Sequence, residues 1–356
     1  MAAAPEGTIV EAPVWSIPSD MSSTVMAASP DGRWILYGGF EIVHVLDALT
    51  GVEVASISHG EANVYCLCVS PDSRMFAAGL SNDDVHVVEF VARDGTLRAS
   101  AEGRKVLRGH TRDIRGCTFS ADGTRLVTGS VDATIRVWSL DAAEVDVHSI
   151  PQGSWVNAVV AIPRSSLVVA ACGGGPARVW DINTLREVRT YVGRSISAAV
   201  SQDGRWLATA HESQDVRVWS LVDGRQRVIP TPFGYSTLNV SFSANGKYIA
   251  VARHFDCSVW SVNDGVLLHR LGKDIYLSAK GWPVQSEFRA AFRHVAFVGK
   301  SPYLLAVTTD KSAAQLWHLR PNFSMPLLAA LAHPSWARFF LDDGDHANAT
   351  RVERFM

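Results

Sequence analysis

Gly109-His110-Thr111-Arg112-Asp113, then Ile114 to Ser120, then Ala121-Asp122-Gly123, then Arg125 to Ser130, and finally Ile135-Arg136-Val137-Trp138: this stretch decides the fold. It reads as a short apolar run, a tight polar turn, a second apolar run and an alternating strand that ends in Trp. Asp-Gly supplies the positive φ that a tight hairpin demands. Alternation of period two is strand language. Working outward, the same order recurs. Its turns stand at Ser29-Pro30-Asp31-Gly32, Ser70-Pro71-Asp72-Ser73, Ser201-Gln202-Asp203-Gly204 and Ser243-Ala244-Asn245-Gly246. The strand ends fall at Leu46, Val88, Trp138, Trp180, Trp219, Trp260 and Trp317, in steps of 42, 50, 42, 39, 41 and 57 residues.

Four short strands repeated at a period of about 40–45 residues are the signature of a propeller blade. The pattern predicts an all-β, seven-bladed β-propeller of four-stranded antiparallel blades. The alternative is eight blades, the last built from both termini. A chain of 356 residues alone would suggest more than one domain. The repeat overrides that prior, because one blade cannot bury both faces of its own sheet. The reading divides the chain into an N-terminal segment, 1–19, that supplies a ring-closing strand, a propeller over 20–333, and a tail or partial repeat over 334–356. Thr8 to Ile17 reads as a strand before the first unit, and Leu327 to Ala332 as a strand after the seventh. Either completes the last blade. Two long insertions stand out, Val91 to Arg104 and Asp274 to Ala290. Loops of that length are uncommon unless they have a function or are disordered.

Composition narrows the function. The formal charge is -2, which leaves no basic excess to neutralise a phosphate backbone, so nucleic acid is not an expected partner. No run of eighteen apolar residues occurs, so no membrane-spanning helix is expected. The start, Met1 to Glu6, has no basic region followed by an apolar stretch, and no signal peptide is read there. The five cysteines, Cys66, Cys68, Cys117, Cys172 and Cys257, show no pairing pattern, and most sit in apolar runs. They read as buried hydrophobes in a reducing, intracellular compartment, cytoplasmic or nuclear.

The third unit resembles the WD-repeat pattern, with Gly109-His110 at its start and Val137-Trp138-Ser139 at its end. Ser139 replaces the usual Asp there, whereas Trp180-Asp181 keeps the dipeptide. The resemblance covers roughly residues 20 to 333. It implies a propeller that assembles other proteins and has no catalytic activity of its own. It also implies a buried polar network, matched in one unit only by His110, Thr128, Asp132 and Trp138. An imidazole, a hydroxyl, a carboxylate and an indole N–H can satisfy one another inside a blade. These residues are therefore read as structural. The pattern decays elsewhere: Leu46 and Val88 replace Trp, and the fifth unit keeps Thr209 and Trp219 but has Ser213 in place of the carboxylate.

Motifs for chemistry do not assemble. Gly299-Lys300-Ser301 lacks the earlier Gly of a phosphate loop and joins two strands. Gly173-Gly174-Gly175 is a strand-to-strand turn with no helix behind it. Cys66-Leu67-Cys68 has the wrong spacing for zinc. Asp342-Asp343-Gly344-Asp345-His346 lacks the ligand spacing of a calcium loop. No catalytic residue, metal or cofactor is expected.

A partner is expected on the face where the loops between blades open beside the channel. By position the rim should include Tyr65, Arg112, Arg115, Trp155, Arg194, Tyr235 and Arg293. Aromatic residues and Arg dominate interface hot spots because they bury large area and form directed hydrogen bonds. Trp282 and Phe288 in the long insertion form a second candidate patch. The sequence thus reads as a non-catalytic scaffold for proteins or peptides, monomeric within a larger complex. A propeller enzyme with a site at the channel and a reader of modified peptides are the alternatives. The reader would cage a cation with Tyr65, Trp155 and Tyr235.

Overall fold

The computed structural model describes residues 8–10, 13–18, 25–93, 96–99, 104–141, 147–211, 215–229, 237–253, 256–271, 292–301, 304–309 and 312–319. They form seven antiparallel sheets arranged as the blades of a β-propeller, and no helix occurs among them. The innermost strands, from blade 1 to blade 7, are Val25–Ala28, Val64–Val69, Ile114–Phe119, Val156–Ala161, Ser195–Val200, Thr237–Phe242 and Phe292–Phe297. Each pairs outward with the strand that follows it in sequence.

The turn after the inner strand shows why the repeat folds this way. Ser29, Ser70, Ser120 and Ser201 donate their hydroxyl to the Asp two residues on, at 2.5–2.6 Å. Ser243 does the same to Asn245 at 2.8 Å. The same Ser oxygen accepts the backbone N–H five residues later, at 2.9–3.0 Å. In the first of these turns Gly32 takes a φ of 75°, which an L side chain adopts only with strain.

Packing between blades holds the ring. The second strand of each blade is sandwiched between neighbouring sheets, so Trp34–Gly38 and Leu304–Thr309 are buried along their whole length. Each of the seven seams has its own apolar cluster; the one between blades 7 and 1 joins Leu304, Ala306 and Leu316 to Ile35, Tyr37 and Leu46. A fully buried Leu or Ile contributes about 1.5–3 kcal/mol. The blades approach closely enough that a Cβ on Gly116 would lie 2.7 Å from the Val159 nitrogen of the next blade.

Two N-terminal strands pair with the outer edges of blades 6 and 7. Trp15–Pro18 pairs antiparallel with Ser312–His318 as the outer strand of blade 7. The expected single strand from Thr8 to Ile17 is instead two, because Thr8–Val10 pairs in parallel with the outer strand of blade 6, Leu267–Leu271. The Trp15 indole donates to the Ala48 carbonyl at 3.2 Å and covers Gly51. Residues 8–10 and 13–18 therefore touch blades 6, 7 and 1. The rival closing strand, Leu327 to Ala332, the Asp342 to His346 turn and the 334–356 tail lie outside the described residues, as do the insertion at 274–290 and Ser213. The insertion read from Val91 to Arg104 is in part a hairpin. It lengthens the third strand of blade 2 to Val85–Arg93, which pairs with Thr96–Ala99 and then with Lys105–Leu107.

Candidate functional site

The inner strands share one irregularity. In blades 2 to 7 the register against the second strand shifts across the second residue. A bulge leaves one residue unpaired and re-aims its side chain. The bulged residues are Tyr65, Arg115, Asn157, Ile196, Leu238 and Arg293. The first five line a central cavity of about 370 Å³, together with His294, Ser197 and Asn239. Polar links run between blades below the mouth. Asn157 Nδ2 donates to the Ser195 carbonyl at 3.4 Å, and Asn239 Oδ1 accepts from the Val295 N–H at 3.1 Å.

Of the rim residues expected from sequence, Tyr65 and Arg115 meet. The Arg115 guanidinium sits 4.4 Å from the Tyr65 ring centroid and 3.0 Å from Asp113. Arg112 and Arg194 are exposed, and Arg293 is half-buried. The Arg112 carbonyl accepts the Ser130 hydroxyl at 2.8 Å, which fixes its loop. Trp155 is 48% exposed, and its indole lies against Gly173. A Cβ at Gly173 would collide with that ring, so the triple glycine makes room for the tryptophan. Tyr235, Trp282 and Phe288 lie outside the described residues. Tyr65 and Trp155 stand on different blades, and one face of Tyr65 is covered by Arg115.

The residues matched to the structural network are also in contact. His110 Nδ1–H donates to Asp132 at 2.7 Å, and His110 Nε2 accepts the Thr128 hydroxyl at 2.8 Å. Thr128 in turn accepts the Trp138 indole N–H at 2.8 Å. Burial lowers the His110 pKa and outweighs the pull of Asp132. Burial opposes ionisation of Asp132, but hydrogen bonds from Thr134 and His110 hold its carboxyl below the ordinary range.

In the other four Trp-ended third strands the indole bonds Gln152 from Trp180, Thr209 from Trp219, Ser258 from Trp260 and Gln315 from Trp317, at 3.0–3.1 Å. In blade 5 His211, on the strand itself, bonds Thr209 at 2.8 Å. Sequence reading passed over His211, and over Asn157, Ile196 and Leu238 at the channel. The signal for the last three was one column, the second residue of every inner run. Among the described residues no group of three or more metal-binding side chains converges. No helix among them is long and apolar enough to cross a membrane.

The site belongs to a class: a closed β-propeller that presents a rim of bulged and loop residues around its channel. A family model, "WD domain, G-beta repeat", matches residues 51–88, 102–139 and 185–220. These three segments of the chain carry WD repeats. It is 25% identical over 207 residues to the Target of rapamycin complex subunit wat1 of Schizosaccharomyces pombe, covering 57% of this chain and 62% of that protein. Over 244 residues it is 25% identical to the rat (Rattus norvegicus) Apoptotic protease-activating factor 1, covering 64% of this chain and 18% of that protein. With the mouse (Mus musculus) Target of rapamycin complex subunit LST8 it shares 22% identity over 283 residues, 74% of this chain and 83% of that protein. The matches therefore span under two thirds of the first two relatives and more of the third.

Proposed function

We propose that this chain is a non-catalytic scaffold that binds protein or peptide partners on the loop face of the propeller. The observation that carries the reading is the column of bulges. Six inner strands each carry a bulge at the same position, and five of the bulged residues line one cavity. Such a rim is held by a rigid ring, so little ordering cost is paid when a partner docks. Residues 20–333 would form the ring and 1–19 the segment that closes it. Two relatives carry names as subunits of a complex, which supports a role in assembly.

The cavity wall favours binding over catalysis. Among its described residues are one imidazole, His294, two thiols and no carboxylate. Burial pushes His294 down to about 4 and the Cys66 thiol well above the ordinary range. At Cys117 the contact with Cys66 lowers the pKa, but the contact with Cys68 and then burial raise it well above the ordinary range. Neutral, buried thiols are poor nucleophiles.

The test is affinity capture from native lysate with three baits. They are the wild-type chain, a variant with Arg115, Trp155 and Arg194 changed to Ala, and a control with Arg74, Arg205 and Lys247 changed to Ala on the opposite face. Partners lost from the first variant and kept by the control are expected. Partners kept by both variants would move the interaction off the loop face.

A further inference from the structure

Three of the five cysteines share one seam. Cys66 and Cys68 stand on the inner strand of blade 2, Val64–Val69, and Cys117 on that of blade 3, Ile114–Phe119. Cys66 and Cys117 belong to the apolar cluster between these blades, and Cys68 packs against it. Cys172 and Cys257 lie in other seams, in clusters that hold no second cysteine.

The two blades bring the sulfurs together. The Cys117 thiol points at blade 2, where it donates to the Ala77 carbonyl at 3.8 Å. Cys66 and Cys117 are in hydrogen-bond contact with each other, and Cys117 also touches Cys68. The Gly79 backbone N–H serves both Cys66 and Cys117. A Cβ on Gly79 would lie 2.5 Å from the Cys66 sulfur and 2.6 Å from Cγ2 of Ile114, so the glycine makes room for the sulfur at the seam. One blade further on, the same column shows how near the inner strands come. Gly116 holds the place of Cys66 there, and a Cβ on it would lie 2.8 Å from the Ala158 Cα. A disulfide needs Cα atoms within about 7 Å, which strands this close provide. The pair also has an entrance: Cys66 and Cys117 line the central cavity of about 370 Å³. The oxidant suited to that space is small and uncharged, as hydrogen peroxide is.

We propose that Cys66 and Cys117 are a redox-modification site, joined by peroxide into a disulfide that staples blade 2 to blade 3. The Cys117 sulfur, as thiolate, attacks one peroxide oxygen. The S–O bond forms, the O–O bond breaks, and the departing hydroxide takes the proton released by Cys117 and leaves as water. The Cys66 thiolate then attacks the Cys117 sulfur. The S–S bond forms, the S–O bond breaks, and hydroxide leaves with the Cys66 proton as a second water. Two thiols lose two electrons and two protons, and one peroxide gains them.

Cys117 is placed as the attacking residue because the contact with Cys66 lowers its pKa, although Cys68 and then burial raise it. Burial, and then the same contact, raise the pKa of Cys66. Both thiols are neutral at ordinary pH, so the modification is slow and stoichiometric, and it quickens as pH rises. The link crosses the seam directly below the rim, where Tyr65 and Arg115 meet over the same two strands. This inference does not depend on the scaffold reading.

The experiment treats the full chain with hydrogen peroxide at neutral and at alkaline pH, then denatures it and alkylates the remaining thiols. The five alkylatable thiols should fall by two, and faster at alkaline pH. Mass spectrometry should find the peptides of Cys66 and Cys117 linked, lighter by about two hydrogen masses, and dithiothreitol should separate them. The oxidised chain should melt at a higher temperature, because a crosslink restricts the unfolded chain. Cys66→Ser and Cys117→Ser should each abolish the link, and Cys172→Ser should leave it. Cys66→Ala and Cys117→Ala serve if the polar replacements lower the melting temperature.

Five thiols still alkylated after treatment would overturn the proposal. So would sulfinic or sulfonic acid at either cysteine without a link, a link through Cys68, or links between separate chains alone.

Discussion

Blades 2 and 3 are neighbours with the same topology, yet they solve the same problem in different ways. In blade 3 a buried Trp, Thr, His and Asp pass hydrogen bonds from the core to the loop. Blade 2 has Val88 where the Trp would be and Ala78 where the Thr would be, both fully buried. Its loop histidine, His59, has no hydroxyl or carboxylate to meet and turns to His86, with the two Nδ1 atoms 2.8 Å apart. One imidazole donates and the other accepts, so this bond is lost once both rings are protonated. Burial first, then the neighbouring charges, pushes His59 down to about 3 and His86 down to about 4. The comparison teaches that a repeat can lose its polar network and keep its shape, provided apolar packing fills the seam. It keeps an acid-sensitive residue of the lost design.

The sharpest way to break this comparison is Trp138→Ala. The indole is 1% exposed, and its loss should cost about 3–5 kcal/mol, seen as a lower denaturation midpoint. A melt that does not move would remove blade 3 from the argument. Next, Thr128→Val leaves the Trp138 indole N–H without its acceptor and should cost about 1–3 kcal/mol. Rebuilding the missing residue alone should fail. Val88→Trp overpacks a fully buried site and should destabilise by about 1–3 kcal/mol, while Ala78→Thr added to it should recover part of the loss. Recovery of nothing would mean that blade 2 has diverged beyond its side chains.

The pH dependence sharpens the same contrast. Both histidines have folded pKa values below the ordinary 6.5, so the unfolded chain binds more protons in acid. Stability is therefore fully present above pH 6.5 and lost as pH falls toward the folded values, by about 1.4 kcal/mol per pH unit for each proton. Denaturant unfolding at pH 7 and pH 5 should show a steeper loss in the wild type than in a His59→Gln, His86→Gln variant. Equal slopes would place the acid sensitivity elsewhere. The smallest effect is expected at Trp155→Ala, a half-exposed site, where stability should change by about 0.5 kcal/mol or less. A large loss there would make Trp155 a packing residue instead of a rim residue.

Much of this was legible from the chain. The Ser-x-Asp-Gly turns and Trp-ended strands mark seven blades, because turn chemistry and strand alternation are local. The blade 3 network was legible for the same reason, since its four residues sit at fixed offsets within one repeat. Sequence reading placed Tyr65 and Arg115 on the rim by position, but their contact joins two blades. His211 was missed because it replaces a loop histidine from a strand position that the repeat pattern assigns to the core.

The amino-acid order by itself determined the repeat, its all-β character and the strand that each side chain occupies. Tertiary structure decided what lies between repeats. It set residues 8–10 on the outer edge of blade 6 and residues 15–18 on that of blade 7, and hooked Trp15 onto blade 1. It also brought five of the bulged residues to one cavity. The physical reason is that local pattern specifies direction within a strand, whereas contacts across seams depend on how closed sheets pack. No single blade contains that information.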